Sequence, residues 1–185
     1  MYLDLDETII FQIKDPSHPA TFEMPTETGE KVRYDDLELR VAARPHWQIF
    51  LDEMSALYEI VVFTASTFYY ATLVTKALDP EGKYFNGLLS RNHCLMTKNG
   101  FFIKDLRMIE NRDIKDVVLL DNYVHSFAFN LDNGIPILEW RGESNDDELL
   151  HMMDYLREVA KEPDVREINR RRLGLASIPK QTSIA

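Results

Sequence analysis

The sequence predicts an α/β protein with a Rossmann-like, mainly parallel sheet flanked by helices. Short apolar runs alternate along the chain with segments of helical periodicity, and parallel strands need such helical crossovers between them. The length of one polar stretch limits the size of any inserted domain. The polar, proline-marked stretch at about residues 16–39 is long enough for a small β-hairpin insert and too short for a large cap domain.

Compact runs of apolar and β-branched residues predict the strands. The first strand, at residues 1–5, precedes an acidic cluster, and the two strongest, at residues 58–64 and 116–121, are typical of buried strands. Shorter runs predict further strands at residues 9–13, 88–90, 94–96 and 134–138. Because helical segments separate the strong runs, we expect their strands to be parallel.

Apolar residues at three- and four-residue spacing predict the helices. One begins at Pro45, a second covers residues 67–78, and a third, amphipathic helix covers residues 146–159. We therefore expect one domain over residues 1–162, followed over residues 163–185 by a short helix and a flexible tail. The arginines of this last helix form either a solvated face or a docking patch.

Composition restricts the classes of function. The 185 residues include 31 acidic and 21 basic side chains, and the net charge of −10 argues against sequence-blind binding to nucleic acid or anionic membranes. The single cysteine, Cys94, excludes an intramolecular disulfide and a multi-cysteine zinc site. No apolar run is long enough to span a bilayer. We expect a monomer in a reducing compartment, nuclear or cytoplasmic, unless the sequence is a fragment.

The pentapeptide Asp4-Leu5-Asp6-Glu7-Thr8 closes the first predicted strand. Side chains two residues apart in a strand share a face, so both aspartates would project from its carboxyl end, where open parallel sheets bind ligands. Two carboxylates repel each other there unless a cation compensates, and Mg²⁺ prefers oxygen ligands. The alternative is an acidic loop on the surface, and the pentapeptide alone does not decide between the two.

The ends of two later strands favour a ligand site. Thr64 ends the second buried run, and Asp121 and Asn122 end the third. Lys104 follows the apolar residues 101–103 and can bring a positive charge to the same edge. Carboxylates with a metal, a hydroxyl and a lysine suit a phosphoryl group, whose transfer requires positioning and neutralisation of charge. One carboxylate can attack phosphorus to form an aspartyl-phosphate, while the other protonates the leaving oxygen and later activates water.

In their order along the chain, these residues resemble the four motifs of the haloacid-dehalogenase superfamily. The resemblance is closer to its branch of small carboxy-terminal-domain phosphatases, protein Ser/Thr phosphatases that act on the tail of RNA polymerase II, and to the related Dullard-type phosphatases. It covers about residues 1–160. The segments that carry it are residues 4–8, 44–45, 58–66, 91–94, 103–106, 120–122 and 132–136.

The resemblance implies a haloacid-dehalogenase fold and a role for each motif residue. Asp4 is implied as the nucleophile and Asp6 as the general acid/base, while Thr64 and Lys104 hold the phosphoryl oxygens. The implied Mg²⁺ ligands are the Asp4 side chain, the Asp6 carbonyl and Asp121, with Asn122 beside the metal. The substrate-binding residues are Thr8, Tyr70 as part of a hydrophobic pocket, and Arg91.

A site without a cap stays open and suits a phosphorylated residue in an extended peptide better than a small metabolite, which usually needs a closed pocket. We therefore predict a Mg²⁺-dependent protein serine/threonine phosphatase, with the tail of RNA polymerase II as the substrate that the resemblance implies. Two alternatives stay open. One is a catalytically weak phosphoprotein-binding or scaffold relative, and the other is a small-molecule phosphatase. Nuclear residence rests on the resemblance alone.

Overall fold

The central layer is a parallel sheet of five strands. They are β1 (Tyr2–Leu3), β5 (Ile60–Phe63), β6 (Phe85–Leu89), β9 (Leu119–Asp121) and β10 (Gly134–Pro136). Their order in the sheet is β10-β9-β1-β5-β6. This computed structural model describes residues 1–15, 17–25 and 38–175. The predicted α/β architecture with a mainly parallel sheet is confirmed.

The register of the three central strands determines where the site lies. Leu3 of β1 pairs with Val62 of β5 on one side and with Leu120 of β9 on the other. All three of these residues are fully buried, as expected for strands covered on both faces. The carboxyl ends of β9, β1 and β5 therefore reach the same edge of the sheet side by side.

Within the described ranges, two antiparallel sheets are added to this layer. The larger has the order β2-β4-β3, and its strands are β2 (Ile10–Gln12), β3 (Phe22–Pro25) and β4 (Glu38–Ala43). Strand β3 lies within the predicted insert at about residues 16–39, whereas its partner β4 lies mostly beyond residue 39, and β2 adds a third strand. Residues 16 and 26–37 of the predicted insert lie outside the described residues. The smaller sheet pairs β7 (Leu95–Met96) with β8 (Phe102–Ile103).

The predicted helices are present among the described residues. They are α1 (Trp47–Leu57), α2 (Phe68–Leu78), α3 (Glu148–Val159) and α4 (Val165–Arg172). Helices α1 and α3 begin two residues after their predicted starts, because His46 and Asp147 occupy the N-cap positions. Helix α3 buries Leu149, Met153, Leu156 and Val159, which is the amphipathic face that the sequence predicts.

Helix α4 packs against the same core as the rest of the chain. Its Val165 and Ile168 side chains join the main hydrophobic cluster, and Asn169 Nδ2 donates to the Asp132 carbonyl at 2.8 Å. The division at residue 162 stays a prediction, and the predicted tail lies outside the described residues from residue 176 onward. Within the described part of the chain, no helix has the length and apolar character needed to cross a membrane.

Candidate active site

Polar side chains end the three central strands at one edge of the parallel sheet. Asp4 follows β1, Thr64 follows β5, and Asp121 is the last residue of β9. Strand pairing continues to this point, since the Asp4 N–H donates to the Leu120 carbonyl at 3.0 Å. All three polar side chains are buried. They lie together at the edge where open parallel sheets bind ligands.

Lys104 brings a buried positive charge to this edge. It follows β8, and its backbone N–H donates to the Ser126 carbonyl at 2.7 Å. Its Nζ lies 2.6 Å from Asp4 Oδ1 and 2.5 Å from Asp121 Oδ2. Because only 2% of the lysine is exposed, water screens these interactions little. Lys104, Asp4 and Asp121 form what we call the lysine cluster.

The lysine cluster carries an excess of negative charge, since one ammonium contacts two carboxylates. Burial raises the pKa of Asp4 to about 7; Lys104 opposes this rise, and Asp121 and Asp6 reinforce it. Burial alone would lower the pKa of Lys104, but the charges of Asp4 and Asp121 raise it instead. The lysine therefore stays charged and does not neutralise both carboxylates.

The loop from Asp4 to Thr8 turns tightly back on itself. The N–H groups of Thr8 and Ile9 both donate to the Leu5 carbonyl, at 3.2 and 2.9 Å. Glu7 has a φ of 61°, in the left-handed region that residues other than glycine rarely adopt. Such a conformation persists only where surrounding contacts determine it, and it is often found at active sites.

Thr8 does not line the cleft, contrary to the prediction that it binds substrate. Its side chain is fully buried, and its hydroxyl donates to Asp4 Oδ2 at 3.2 Å and, more weakly, to Asn122 Oδ1 at 3.4 Å. Lys104 holds the other oxygen of Asp4. We therefore reassign Thr8 from substrate binding to orienting the Asp4 carboxylate.

Hydroxyl groups hold both oxygens of Asp6. The Tyr70 hydroxyl donates to Oδ1 at 2.5 Å, and those of Ser66 and Thr64 donate to Oδ2 at 2.7 and 3.4 Å. The assignment of Tyr70 to a hydrophobic pocket is therefore incomplete: the residue lines the cleft, but its hydroxyl binds Asp6. Ser66 was not predicted as a site residue, although it lies three residues beyond the end of β5 and within the segment of residues 58–66 that carries the resemblance.

A cleft of about 770 Å³ contains the lysine cluster and Asp6 in its lining. Arg91 also lines it; its Nε donates to the Ala65 carbonyl at 2.7 Å, and its guanidinium lies 5.3 Å from the centroid of the Phe102 ring. Arg91 therefore lies at the cleft, and its contact with substrate stays a prediction. Further aromatic residues line the cleft, namely Phe11, Phe101, Tyr123 and His125. They come from separate segments without a shared sequence pattern, so they were not predicted.

The residues expected to hold Mg²⁺ offer oxygen donors. The carboxylates of Asp4 and Asp121 contact the same ammonium, and Asn122 follows directly. Within the part of the chain that the structure describes, no group of three or more His, Cys, Asp or Glu side chains is arranged to hold a metal. A cation with few protein ligands and several waters, such as Mg²⁺, suits this donor set. Such a cation would also offset the excess negative charge of the lysine cluster, which adds to the effect of burial on the pKa of Asp4.

Comparison with known proteins identifies relatives in sequence. CTD small phosphatase-like protein 3 of Caenorhabditis elegans is 38% identical over 176 residues, which cover 95% of this chain and 59% of that protein. Carboxy-terminal domain RNA polymerase II polypeptide A small phosphatase 1 of Homo sapiens is 34% identical over 168 residues, covering 91% of this chain and 62% of that protein. The chain therefore spans less than two thirds of the length of either relative.

A solved structure shares the fold. The structure of Fcp1, an essential RNA polymerase II CTD phosphatase, has a TM-score of 0.71 at 18% sequence identity and covers 92% of this chain and 69% of that chain. Residues 1–166 also match the family model of the NLI interacting factor-like phosphatases. The predicted resemblance is thereby confirmed, and the chain belongs to the NLI interacting factor-like phosphatase family.

Proposed function

We propose that the chain is a Mg²⁺-dependent protein serine/threonine phosphatase that works through an aspartyl-phosphate on Asp4. The observation that carries this proposal is the lysine cluster, in which one buried ammonium joins two carboxylates at the ligand-binding edge of a parallel sheet. Such a cluster combines a nucleophile, an ammonium that neutralises phosphoryl oxygens and a carboxylate that would hold Mg²⁺. Membership of a phosphatase family supports the same class of reaction.

Asp4 acts as the nucleophile. One of its oxygens bonds to phosphorus, while the bond between phosphorus and the serine or threonine oxygen of the substrate breaks. Contacts with Lys104 and Thr8 hold the two oxygens of Asp4 in one orientation before the reaction begins. A carboxylate held in this way loses little further freedom in the transition state.

Asp6 acts as the general acid and then as the general base. It gives its proton to the leaving oxygen of the substrate and later takes a proton from the water that attacks the phosphorus of the intermediate. The bond between phosphorus and Asp4 then breaks, and inorganic phosphate leaves. The hydroxyl groups of Tyr70 and Ser66 hold Asp6 in place for both proton transfers.

Charge on the phosphoryl oxygens is neutralised by groups at the same edge. The Thr64 hydroxyl and the Lys104 ammonium both line the cleft and serve as donors to these oxygens. Bound Mg²⁺ would supply further positive charge there. The residues that would hold it are Asp4 and Asp121 through their side chains, Asp6 through its carbonyl, and Asn122 beside the metal.

The substrate in this proposal is a phosphorylated serine or threonine within an extended protein segment. A cleft of about 770 Å³ matches sites for ligands much larger than one phosphorylated side chain. Its aromatic lining offers surface to the residues that flank the phosphate. The human relative named for RNA polymerase II supports that tail as the first substrate to test. Action in the nucleus or cytoplasm is part of the proposal and rests on the resemblance alone. We propose a monomer, because one chain supplies every group named here.

A phosphopeptide array in Mg²⁺-containing buffer tests the proposal. We expect the wild-type chain to release phosphate from phosphoserine or phosphothreonine peptides, and we expect Asp4→Asn to abolish release, because the amide is not a nucleophile. Asparagine keeps the shape of aspartate, so the melting temperature of this variant shows whether it folds. Turnover by folded Asp4→Asn contradicts the mechanism. Binding of peptides without turnover by the wild type favours a scaffold role, and faster turnover of metabolites favours a small-molecule phosphatase.

A further inference from the structure

Arg44 is a fully buried cation outside the cleft. It follows β4, and its Nε and Nη2 donate to the two carboxylate oxygens of Asp146, at 2.7 and 2.8 Å. This bidentate geometry gives the planar guanidinium one orientation. A guanidinium taken out of water is strongly destabilising unless its donors are satisfied, so the contacts of this residue are required by its burial.

The remaining nitrogen of Arg44 reaches the loop of residues 4–9, which contains the proposed nucleophile and which we call the catalytic loop. Nη1 donates to the Thr8 carbonyl at 3.1 Å and to the Leu138 carbonyl at 2.9 Å. The backbone N–H of Arg44 donates to the Ile9 carbonyl at 2.8 Å. Arg44 therefore binds two consecutive carbonyl groups at the end of the catalytic loop and joins them to the segment that precedes α3.

This segment also contacts the strained part of the loop. The backbone N–H of Trp140 donates to the carbonyl of Glu7, the residue with the left-handed backbone, at 2.8 Å. Trp140 and Leu138 belong to the same segment, and Asp146 lies near its end. The loop is therefore held from outside by a second region of the chain, and Arg44 connects the two.

Thr8 links this support to the nucleophile. Its carbonyl accepts the hydrogen bond from Arg44, and its hydroxyl donates to Asp4 Oδ2 at 3.2 Å. A shift of the Thr8 backbone therefore moves the hydroxyl relative to Asp4. A displacement of about 1 Å in a reacting group can cost a factor of about 100 in rate.

We propose that Arg44, held by Asp146, is a positioning residue for phosphoryl transfer: it fixes the backbone of Thr8 so that the Thr8 hydroxyl orients Asp4. The inference rests on the proposed phosphatase function. This role requires arginine, because its planar guanidinium can donate hydrogen bonds to acceptors in several directions at once. Lysine keeps the charge but lacks this geometry.

A double-mutant cycle tests the inference with p-nitrophenyl phosphate in Mg²⁺-containing buffer. We expect Arg44→Lys to lower kcat by about 10- to 100-fold, because Asp4 loses its orientation. KM should change by less than about 2-fold, since no group that contacts substrate is altered. In a Thr8→Val background, which already lacks the hydroxyl, Arg44→Lys should lower kcat by less than about 2-fold further.

Asp79→Asn is the matched structural control. Asp79 is buried outside the cleft lining and accepts hydrogen bonds from the N–H groups of Lys83, Tyr84 and Phe85, at 2.7, 2.7 and 2.9 Å. We expect this variant to lower the melting temperature and leave kcat per folded molecule unchanged. If Arg44→Lys does not fold, Asp146→Asn loosens the guanidinium from the other side, and its kcat should fall with an unchanged KM.

The outcomes separate this inference from the function on which it rests. No Mg²⁺-dependent turnover by the wild type overturns the proposed function and the positioning role together. Wild-type turnover with an unchanged kcat per folded molecule in Arg44→Lys, or in Asp146→Asn where the lysine variant does not fold, overturns the positioning role alone. Equal effects of Arg44→Lys with and without the Thr8 hydroxyl also overturn it, because Arg44 would then act by another route.

Discussion

Among the described residues, Lys104 and Arg44 are fully buried cations whose contacts reach the catalytic loop, and they differ in charge balance. Lys104 contacts the carboxylates of both Asp4 and Asp121, so its cluster keeps an excess negative charge. Arg44 contacts one carboxylate, that of Asp146, and directs its remaining hydrogen bonds to carbonyl groups. The lysine cluster lines the cleft, whereas Arg44 and Asp146, which we call the arginine pair, do not.

The difference separates a reactive cluster from a supporting one. A buried ion pair with matched charge and satisfied donors needs nothing further, so it holds the chain in one arrangement. A buried cluster with unmatched charge is stable only if other contacts compensate, and it gains most from a further cation. We therefore expect the lysine cluster to respond strongly to Mg²⁺ and the arginine pair to be insensitive to it.

Removal of Mg²⁺ is the change with the largest expected effect. EDTA should abolish phosphopeptide turnover, and added Mg²⁺ should restore it, because the unmatched carboxylates then regain their cation. Mg²⁺ should also raise the melting temperature of the wild type, since a ligand that binds the native state stabilises it. Asp121→Asn supplies the control, because it should lose this thermal shift. Full activity in EDTA would contradict the expectation that the lysine cluster depends on Mg²⁺ and the arginine pair does not.

Lys104→Met is expected to have the second largest effect. Loss of the ammonium should lower kcat by about 100- to 1,000-fold, as for removal of one charge-stabilising donor. It should also lower the free energy of unfolding by about 3–5 kcal/mol, because two buried carboxylates lose their cation. Chemical denaturation with and without Mg²⁺ measures this, and Mg²⁺ should recover more stability in the variant than in the wild type. Equal recovery in both proteins shows that the cluster does not bind the metal.

The arginine pair should respond in a different way. Arg44→Met alone should lower the free energy of unfolding by about 3–5 kcal/mol, because Asp146 is left largely buried without its partner. Adding Asp146→Leu should recover much of this loss, since an apolar pair of similar volume avoids the unpaired charge. Mg²⁺ should change neither the loss of stability in Arg44→Met nor its recovery in the double variant. A recovery by Mg²⁺ as large as in Lys104→Met removes the distinction between the two clusters.

An exposed ion pair gives the smallest expected effect. Lys83 Nζ lies 2.5 Å from Asp52 Oδ1, with more than half of each side chain exposed. Water screens this pair, and exposed pairs of this kind contribute little to stability. Lys83→Ala should therefore leave both the melting temperature and kcat unchanged within experimental error. A clear fall in the melting temperature or in kcat would show that an exposed pair matters as much as a buried one. Burial and charge balance would then not explain the difference between the two clusters.

Much of the fold follows from local sequence patterns. Buried strands of a parallel sheet are short apolar runs whatever surrounds them, so residues 58–64 and 116–121 predicted β5 and β9. Once the strands are parallel, topology brings their carboxyl ends to one edge. The meeting of Asp4, Thr64 and Asp121 was therefore predictable from their place after each strand.

The sequence by itself determined the α/β class, the parallel strands and the edge where the polar residues gather, because each depends on periodicity within a short segment. Only the tertiary structure decided which side chain each polar residue contacts. The Tyr70 hydroxyl reaches Asp6 across 64 residues of sequence, and Arg44 reaches Asp146 across 102. Such contacts depend on how distant elements pack and on which buried donors need partners, and no local pattern records either.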